Sequence, residues 1–257
     1  MKTRSMVRLT LMLLGCWLGW ASDSGAIIGG EADGTGHPYV AAIGQPDGEG
    51  IVFTGTAISD SVVLTVAHGA VRLVQATGSN QARVTFDSVA DPSSTWYTGT
   101  IYIDPAFNPN LVGVGDYAVI VFPTPLPVTP AVLPQRNALD GTSQSTLRAT
   151  PEQLIGYGTT ALLAGTPLPD FSSGGTRKID VAAFRALKPQ QLKLQLPDGD
   201  QVCVGDSGAP SLFGGTNVIT GIHVGALGGC ISSGTFIQMR VDTDAARAFL
   251  GQFVQLP

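Results

Sequence analysis

From Tyr39 onward the chain alternates between short apolar runs and turn-forming residues. Gly, Asp, Asn, Pro or Ser punctuates the stretches between Tyr39–Ile43, Ile51–Thr54, Val62–Thr65, Ala82–Phe86, Thr100–Ile103 and Ala118–Phe122. Runs this short are too brief for helices and suit the strands of a sandwich or barrel. Pro123-Thr-Pro-Leu-Pro-Val-Thr-Pro130 then interrupts the pattern. A residue before proline avoids the helical region and proline donates no ladder hydrogen bond, so residues 123–135 read as an extended connector. A second strand-rich half follows, with runs at Gln153–Ile155, Thr176–Val181, Gln191–Leu196, Val218–Ile222 and Phe236–Val241. Only the end reads as helical: Asp242 or Thr243 can cap a segment whose Ala246, Phe249, Leu250 and Phe253 share one face. The halves, 27–122 and 136–257, show no convincing sequence repeat.

Composition narrows the options further. With 13% charged residues, 33 Gly and 17 Pro, the 257-residue chain does not suit a coiled coil or helical bundle. Its 44% apolar content argues against intrinsic disorder. The net charge is −5, without the basic stripe that nucleic-acid binding needs, so no nucleic-acid partner is expected.

Three of the basic residues, Lys2, Arg4 and Arg8, precede an apolar stretch from Leu9 to Ala21 and a small, polar Ser22–Ala26. That order predicts a secretory signal over residues 1–26, cut after Ala26 or alternatively after Ala21. The apolar stretch is short for a membrane span, so no stable membrane insertion is expected. Leu13-Leu-Gly-Cys16 also resembles a lipobox, which would lipidate Cys16, but Trp17-Leu-Gly-Trp20 makes a poor hydrophilic linker. The expected location is extracellular or periplasmic. Loss of residues 1–26 removes three of 14 basic and one of 19 acidic residues, leaving 11 against 18. It also removes Cys16, and an exported chain left with Cys203 and Cys230 most simply joins them in one disulfide.

Three segments carry the chemistry. Thr65-Val-Ala-His68 follows an apolar run, Asp116-Tyr-Ala-Val-Ile120 opens another, and Gly205-Asp-Ser-Gly-Ala-Pro210 is a glycine-rich turn. A serine hydroxyl is a poor nucleophile unless a base takes its proton and a buried acid orients that base. Glycine next to the serine permits a sharp turn and leaves bare N–H groups for a developing oxyanion. Each fragment alone is weak: a lone His is commonly a surface or core residue, and an Asp before a strand is commonly a cap. The order His, Asp, Ser across the chain is far more specific.

With these motifs the chain resembles the trypsin/chymotrypsin-like serine peptidases over residues 27–257. Ile27-Ile-Gly-Gly30 resembles the mature N-terminus of that family, and Ile155-Gly-Tyr-Gly158 a strand of its second barrel. The spacing of Cys203 and Cys230 about the serine resembles its specificity-pocket disulfide. Two rival hydrolase plans run in other orders, Ser–acid–His or Asp–His–Ser. The resemblance implies an all-β fold of two six-stranded antiparallel β-barrels with a C-terminal α-helix and the active site between them. It further implies Ser207 as nucleophile, His68 as general base, Asp116 as its orienting acid, and the N–H groups of Gly205 and Ser207 as oxyanion hole. No metal or organic cofactor is expected; polypeptides are the expected substrates of a monomeric enzyme. His37 reads as an ordinary surface residue.

The resemblance also implies that a freed Ile27 α-ammonium pairs with Asp206. Ala26 is not the basic residue of a trypsin-type activating cut, so signal peptidase itself is expected to release Ile27. Such pairing raises the amine's pKa above about 8. Its support would be full below the unpaired pKa and lost as pH rises through the paired one. For specificity, the resemblance places Gln201 at the floor of the primary pocket, where a basic substrate side chain would lack a counter-charge. Val224-Gly225-Ala226 departs from the usual Ser-Trp-Gly-like wall. Gly221-Ile-His-Val-Gly225 is similar to the segment in which glutamyl endopeptidases meet an acidic side chain, which would give His223 that role; a small or uncharged polar preference is the competing expectation. The alternative to an active endopeptidase is a non-catalytic or regulatory binding protein on a peptidase scaffold, though such homologues usually lose a triad residue and this chain retains all three.

Overall fold

The computed structural model describes residues 27–257 apart from 49, 167, 227–229 and 231–234. The predicted leader and Cys16 therefore lie outside the described residues. After a two-residue strand β1 (Glu31–Ala32), six strands form the first barrel: β2 (Val40–Gly44), β3 (Ile51–Ala57), β4 (Val62–Thr65), β5 (Gln81–Thr85), β6 (Tyr97–Ile103) and β7 (Ala118–Val121). They pair antiparallel and close in the order β2-β3-β4-β7-β6-β5. The second barrel comprises β8 (Glu152–Gly156), β9 (Lys178–Leu187), β10 (Gln191–Gln195), β11 (Pro210–Phe213), β12 (Ile219–Ala226) and β13 (Thr235–Arg240). It runs β9-β10-β13-β12-β11-β8 and closes through β8–β9, with β1 added to β9. Closure removes the unpaired edges that short strands would otherwise expose.

Inward alternation fills each barrel. Ile43, Phe53, Leu64, Val84 and Ile120 are buried in the first, and Leu154, Phe184, Leu192, Leu194 and Phe236 in the second. Residues 123–135 form neither helix nor strand. Leu126 and Ala131 donate to Asp60 and Ala57 of the first half, and Val132 donates to Asn217 of the second.

The chain is less exclusively β than its sequence suggests. Besides the C-terminal helix α3 (Asp244–Leu250) there are α1 (Ala67–Thr77) and the short α2 (Gln144–Ala149). This corrects the expectation that only the end is helical. In α1 the usual signals are missing: Val66 at the N-cap provides no side-chain cap, and the first turn has no acid. Burial of Ala67, Ala70 and Leu73 compensates, as tertiary packing commonly does for short helices. At α3 the structure chooses between two predicted caps. Thr243 accepts from Ala246 N–H, while Asp242 is buried against Arg240. Phe253 lies beyond the helix and stacks edge-on against Phe249.

A buried guanidinium ties the barrels together. Arg177, 2% exposed, donates from Nε to Asp33 Oδ2 at 2.7 Å. It also donates to the Gly34 and Phe86 carbonyls and the Tyr157 hydroxyl. His37 completes the knot, its Nδ1 lying 2.6 Å from Asp33 Oδ1, so it is more than an ordinary surface residue.

A second buried polar group has a measurable consequence. Glu152 opens β8 with its Oε2 accepting from Thr220 Oγ1 at 2.8 Å, and burial pushes its pKa up to about 7. The folded state therefore holds this proton more tightly than the unfolded chain. The resulting penalty is absent below the unfolded pKa of about 4.3 and complete above about 7. Glu152→Gln keeps an oxygen for Thr220 and removes the charge. Thermal denaturation should show it stabilised by about 3–4 kcal/mol near pH 8 and by no more than about 1 kcal/mol near pH 5. An equal effect at both pH values would contradict this account.

Candidate active site

His68 stands in the first turn of α1, immediately after β4, and Asp116 immediately before β7, the strand paired with β4. The β4–β7 ladder thus brings residues 48 positions apart side by side. Asp116, nearly buried, divides its oxygens. Oδ1 accepts from the backbone N–H of His68 at 2.8 Å, and Oδ2 lies 2.8 Å from His68 Nδ1. The first contact supplies what Val66 cannot, an acceptor and a negative charge at the helix N-terminus. The second orients the imidazole, whose Nε2 is 3.0 Å from Ser207 Oγ. The three side chains form one hydrogen-bonded series across the cleft between barrels.

Ser207 is presented by a loop held at almost every peptide. Asp206 N–H donates to Cys203, Gly208 to His223 and Ala209 to Asp206. Gly208 takes φ +86°, and a Cβ there would run into the Thr54 carbonyl oxygen. Only glycine fits this left-handed position against the first barrel. The N–H groups of Gly205 and Ser207 have no acceptor among the described residues, which leaves two donors next to the hydroxyl. Thr54 and Thr65 are contributors the sequence reading missed. Thr54 N–H donates to the Ser207 carbonyl, its Oγ1 donates to the Gly205 carbonyl, and Thr65 Oγ1 donates to the Thr54 carbonyl.

The family model for trypsin matches residues 27–246. The chain belongs to the trypsin family. A solved structure described as HL collagenase shares its fold, with a TM-score of 0.65, 20% sequence identity, and coverage of 88% of this chain and 97% of that one. No curated protein matches the chain significantly.

Within this trypsin-family frame the remaining predicted positions can be placed. Cys203 and Cys230 form a disulfide. Asp206 is fully buried; its Oδ1 accepts from Gly158 N–H at 3.0 Å and its Oδ2 from Cys203 N–H at 2.9 Å. Gly158 leaves room for it, since a Cβ there would lie 2.6 Å from the carboxyl carbon. Burial outweighs both hydrogen bonds and pushes the Asp206 pKa up to about 7. Ile27 is also buried, in the cluster that includes Val202 and Ala209 on either side of the serine loop. In the intact chain its nitrogen is an amide, and no contact with Asp206 is seen among the described residues.

Two cavities flank the triad. One of about 460 Å³ is lined by His68, Asp116, Arg72, Phe107, Leu111 and Val224. The other, about 180 Å³, lies beside Ser207 between Val202, His223, Gly225 and the Cys203–Cys230 bridge, with the exposed Arg72 also on its wall. Gln201 does not line it. Gln201 bonds its backbone to Ile28 in both directions, and its Oε1 is buried without a partner. The side chain of Ala226 lies outside the described residues. His223 is buried, and desolvation, with His68 nearby, lowers its pKa to about 3. Among the described residues no group of three His, Cys, Asp or Glu side chains is arranged to hold a metal ion, and no helix is long and apolar enough to cross a membrane.

The split duty of Asp116 separates fold from chemistry. In Asp116→Asn an oxygen can still cap α1, but the amide nitrogen then faces His68 Nδ1 and imposes the wrong tautomer. Circular dichroism should show an intact fold, with the rate of Ser207 acylation reduced about 10⁴-fold. Acylation within tenfold of wild type would show that the carboxylate does not set the tautomer.

Proposed function

We propose that this chain is a secreted serine endopeptidase that cleaves polypeptides through an acyl-enzyme on Ser207, without a cofactor and as a monomer. The observation that carries the proposal is the series Asp116–His68–Ser207 with two open backbone donors beside it. Ser207 Oγ attacks the substrate carbonyl while His68 Nε2 takes its proton. The developing oxyanion lies against the N–H groups of Gly205 and Ser207. His68 then returns the proton to the leaving amine, and water repeats the sequence on the acyl-enzyme. Asp116 stabilises the transient imidazolium and stays ionised.

Substrate preference is non-basic. The described walls of the small cavity provide no carboxylate, and Arg72 adds a positive charge, so a Lys or Arg side chain would enter uncompensated. The leader-like residues 1–26 and the disulfide support export to an oxidising compartment. Release of Ile27 by signal peptidase would provide an ammonium counter-charge for the buried Asp206, which otherwise resists ionisation.

A fluorophosphonate probe should label the purified protein, with labelling abolished in Ser207→Ala. An unlabelled but folded wild type would exclude the enzymatic reading and leave a binding protein on this scaffold. Mass spectrometry of the labelled species should give a chain beginning at Ile27; any other N-terminus on active enzyme would refute the activation step.

A further inference from the structure

We infer that Thr54 is a positioning residue for the oxyanion hole, and that its hydroxyl does this by holding the Gly205 carbonyl. This rests on the peptidase reading above and adds to it a residue of the first barrel. Two N–H groups can share one oxyanion only while the peptides that carry them keep a fixed relation. Both belong to the stretch from Val204 to Ser207, where the Gly205 carbonyl is the only one held by a side chain and not by a backbone N–H.

A trans peptide points its N–H and its C=O in opposite directions, so a held carbonyl aims the N–H across from it. The Gly205 N–H belongs to the 204–205 peptide, whose Val204 carbonyl accepts from Thr159 N–H at 2.7 Å. The Ser207 N–H belongs to the 206–207 peptide, whose Asp206 carbonyl accepts from Ala209 N–H at 2.9 Å. Between them lies the 205–206 peptide. Its N–H reaches the Cys203 carbonyl at 3.2 Å, a longer bond than either, and its carbonyl accepts from Thr54 Oγ1 at 2.8 Å. Gly205, which opens this peptide at φ +97°, has no Cβ to restrict its rotation. The link between the two open donors is therefore the part of the loop most easily turned, and Thr54 is what holds its carbonyl.

The surroundings of Thr54 fix the direction of its proton. The residue is fully buried, and its Oγ1 accepts from Tyr157 N–H at 3.1 Å. A hydroxyl has one proton, which the Gly205 carbonyl then receives. Tyr157 is the first of three consecutive residues whose N–H groups serve this loop. Gly158 N–H donates to Asp206 Oδ1 at 3.0 Å and Thr159 N–H to the Val204 carbonyl, whereas Tyr157 N–H reaches the loop only through Thr54. Without the hydroxyl, Tyr157 N–H and the Gly205 carbonyl each lose their one partner among the described residues. A buried group left unpaired is costly, so the 205–206 peptide would turn to find another donor and the two open N–H groups would lose their common focus.

The test compares turnover of one peptide substrate by wild type, Thr54→Val and Thr54→Ser. Valine closely matches threonine in shape, keeps the backbone N–H that holds the Ser207 carbonyl, and removes only the hydroxyl. Titration with a fluorophosphonate counts the competent sites in each preparation, so that rates refer to folded enzyme. Thr54→Val should lose about 10- to 100-fold in kcat with KM within about threefold, a smaller loss than the ~10²–10³-fold of removing an oxyanion donor outright. Thr54→Ser should recover to within about threefold of wild type, and the acid limb of the pH profile should coincide in all three. A valine variant within threefold of wild type in kcat, a serine variant no better than valine, or a loss confined to KM would each overturn the inference. Should the valine variant not fold, the wild-type fluorophosphonate adduct decides. A phosphoryl oxygen on both N–H groups with the Gly205 carbonyl still held by Thr54 Oγ1 supports the inference, and the same adduct with that carbonyl turned away overturns it. A wild type that takes no label removes the peptidase reading and this inference with it, whereas labelled enzyme indifferent to the hydroxyl contradicts this inference alone.

Discussion

Thr54 joins the two barrels at the point where Ser207 is presented to His68. Its N–H holds the carbonyl of Ser207, its hydroxyl holds that of Gly205, and the same hydroxyl accepts from Tyr157 N–H at 3.1 Å. Its own carbonyl accepts from Thr65, one strand away in the first barrel. A β3 residue thereby fixes the 205–206 and 207–208 peptides, which flank the peptide that carries the open Ser207 N–H. Hydrogen bonds buried in this way are rigid because the alternative is an unsatisfied group without water. Arg177 fixes the same junction from further along the seam, through Asp33, Phe86 and Tyr157. With the barrels locked together, a hydroxyl on one and an imidazole on the other can meet at 3.0 Å.

Buried charge is used sparingly and with distinct results. Asp116 is ionisable yet capped by a backbone N–H and an imidazole, so its charge is spent on orientation. Asp33 has burial working against its ionisation, but hydrogen bonds from His37 and Arg177 prevail and hold its pKa below the usual value. Among the described residues Asp206 accepts only from backbone N–H groups and Glu152 from a threonine hydroxyl, and burial raises both to about 7. The contrast follows from the partners: a guanidinium and an imidazole outweigh the burial of Asp33, whereas neutral donors do not outweigh that of Asp206 or Glu152.

Much of this was legible in the sequence for physical reasons that can be named. In a chain with three histidines and few charges, the residue types that nucleophilic catalysis needs are scarce, so His68, Asp116 and Ser207 were conspicuous. Strands such as β2, β5 and β7 follow their apolar runs closely. The strand read as Thr176–Val181 extends instead over Lys178–Leu187, because small alanines with Phe184 carry the inward alternation only weakly. Strand β11 begins with proline, whose missing N–H hides it from a reading of strand signals. Helix α1 was hidden because its cap comes from Asp116, a residue remote in sequence. Thr54 is an unremarkable strand threonine until the barrels close. His223 is buried only once the second barrel closes, and that burial has no local sequence signature.

The central claim is that two barrels assemble one acyl-transfer centre, and a crystal structure of the fluorophosphonate adduct examines it most directly. The account predicts phosphorus bonded to Ser207 Oγ, with the phosphoryl oxygen within hydrogen-bond distance of both the Gly205 and Ser207 N–H groups and His68 still held by Asp116. Phosphorus on another residue, or a phosphoryl oxygen directed away from those two N–H groups, would contradict it.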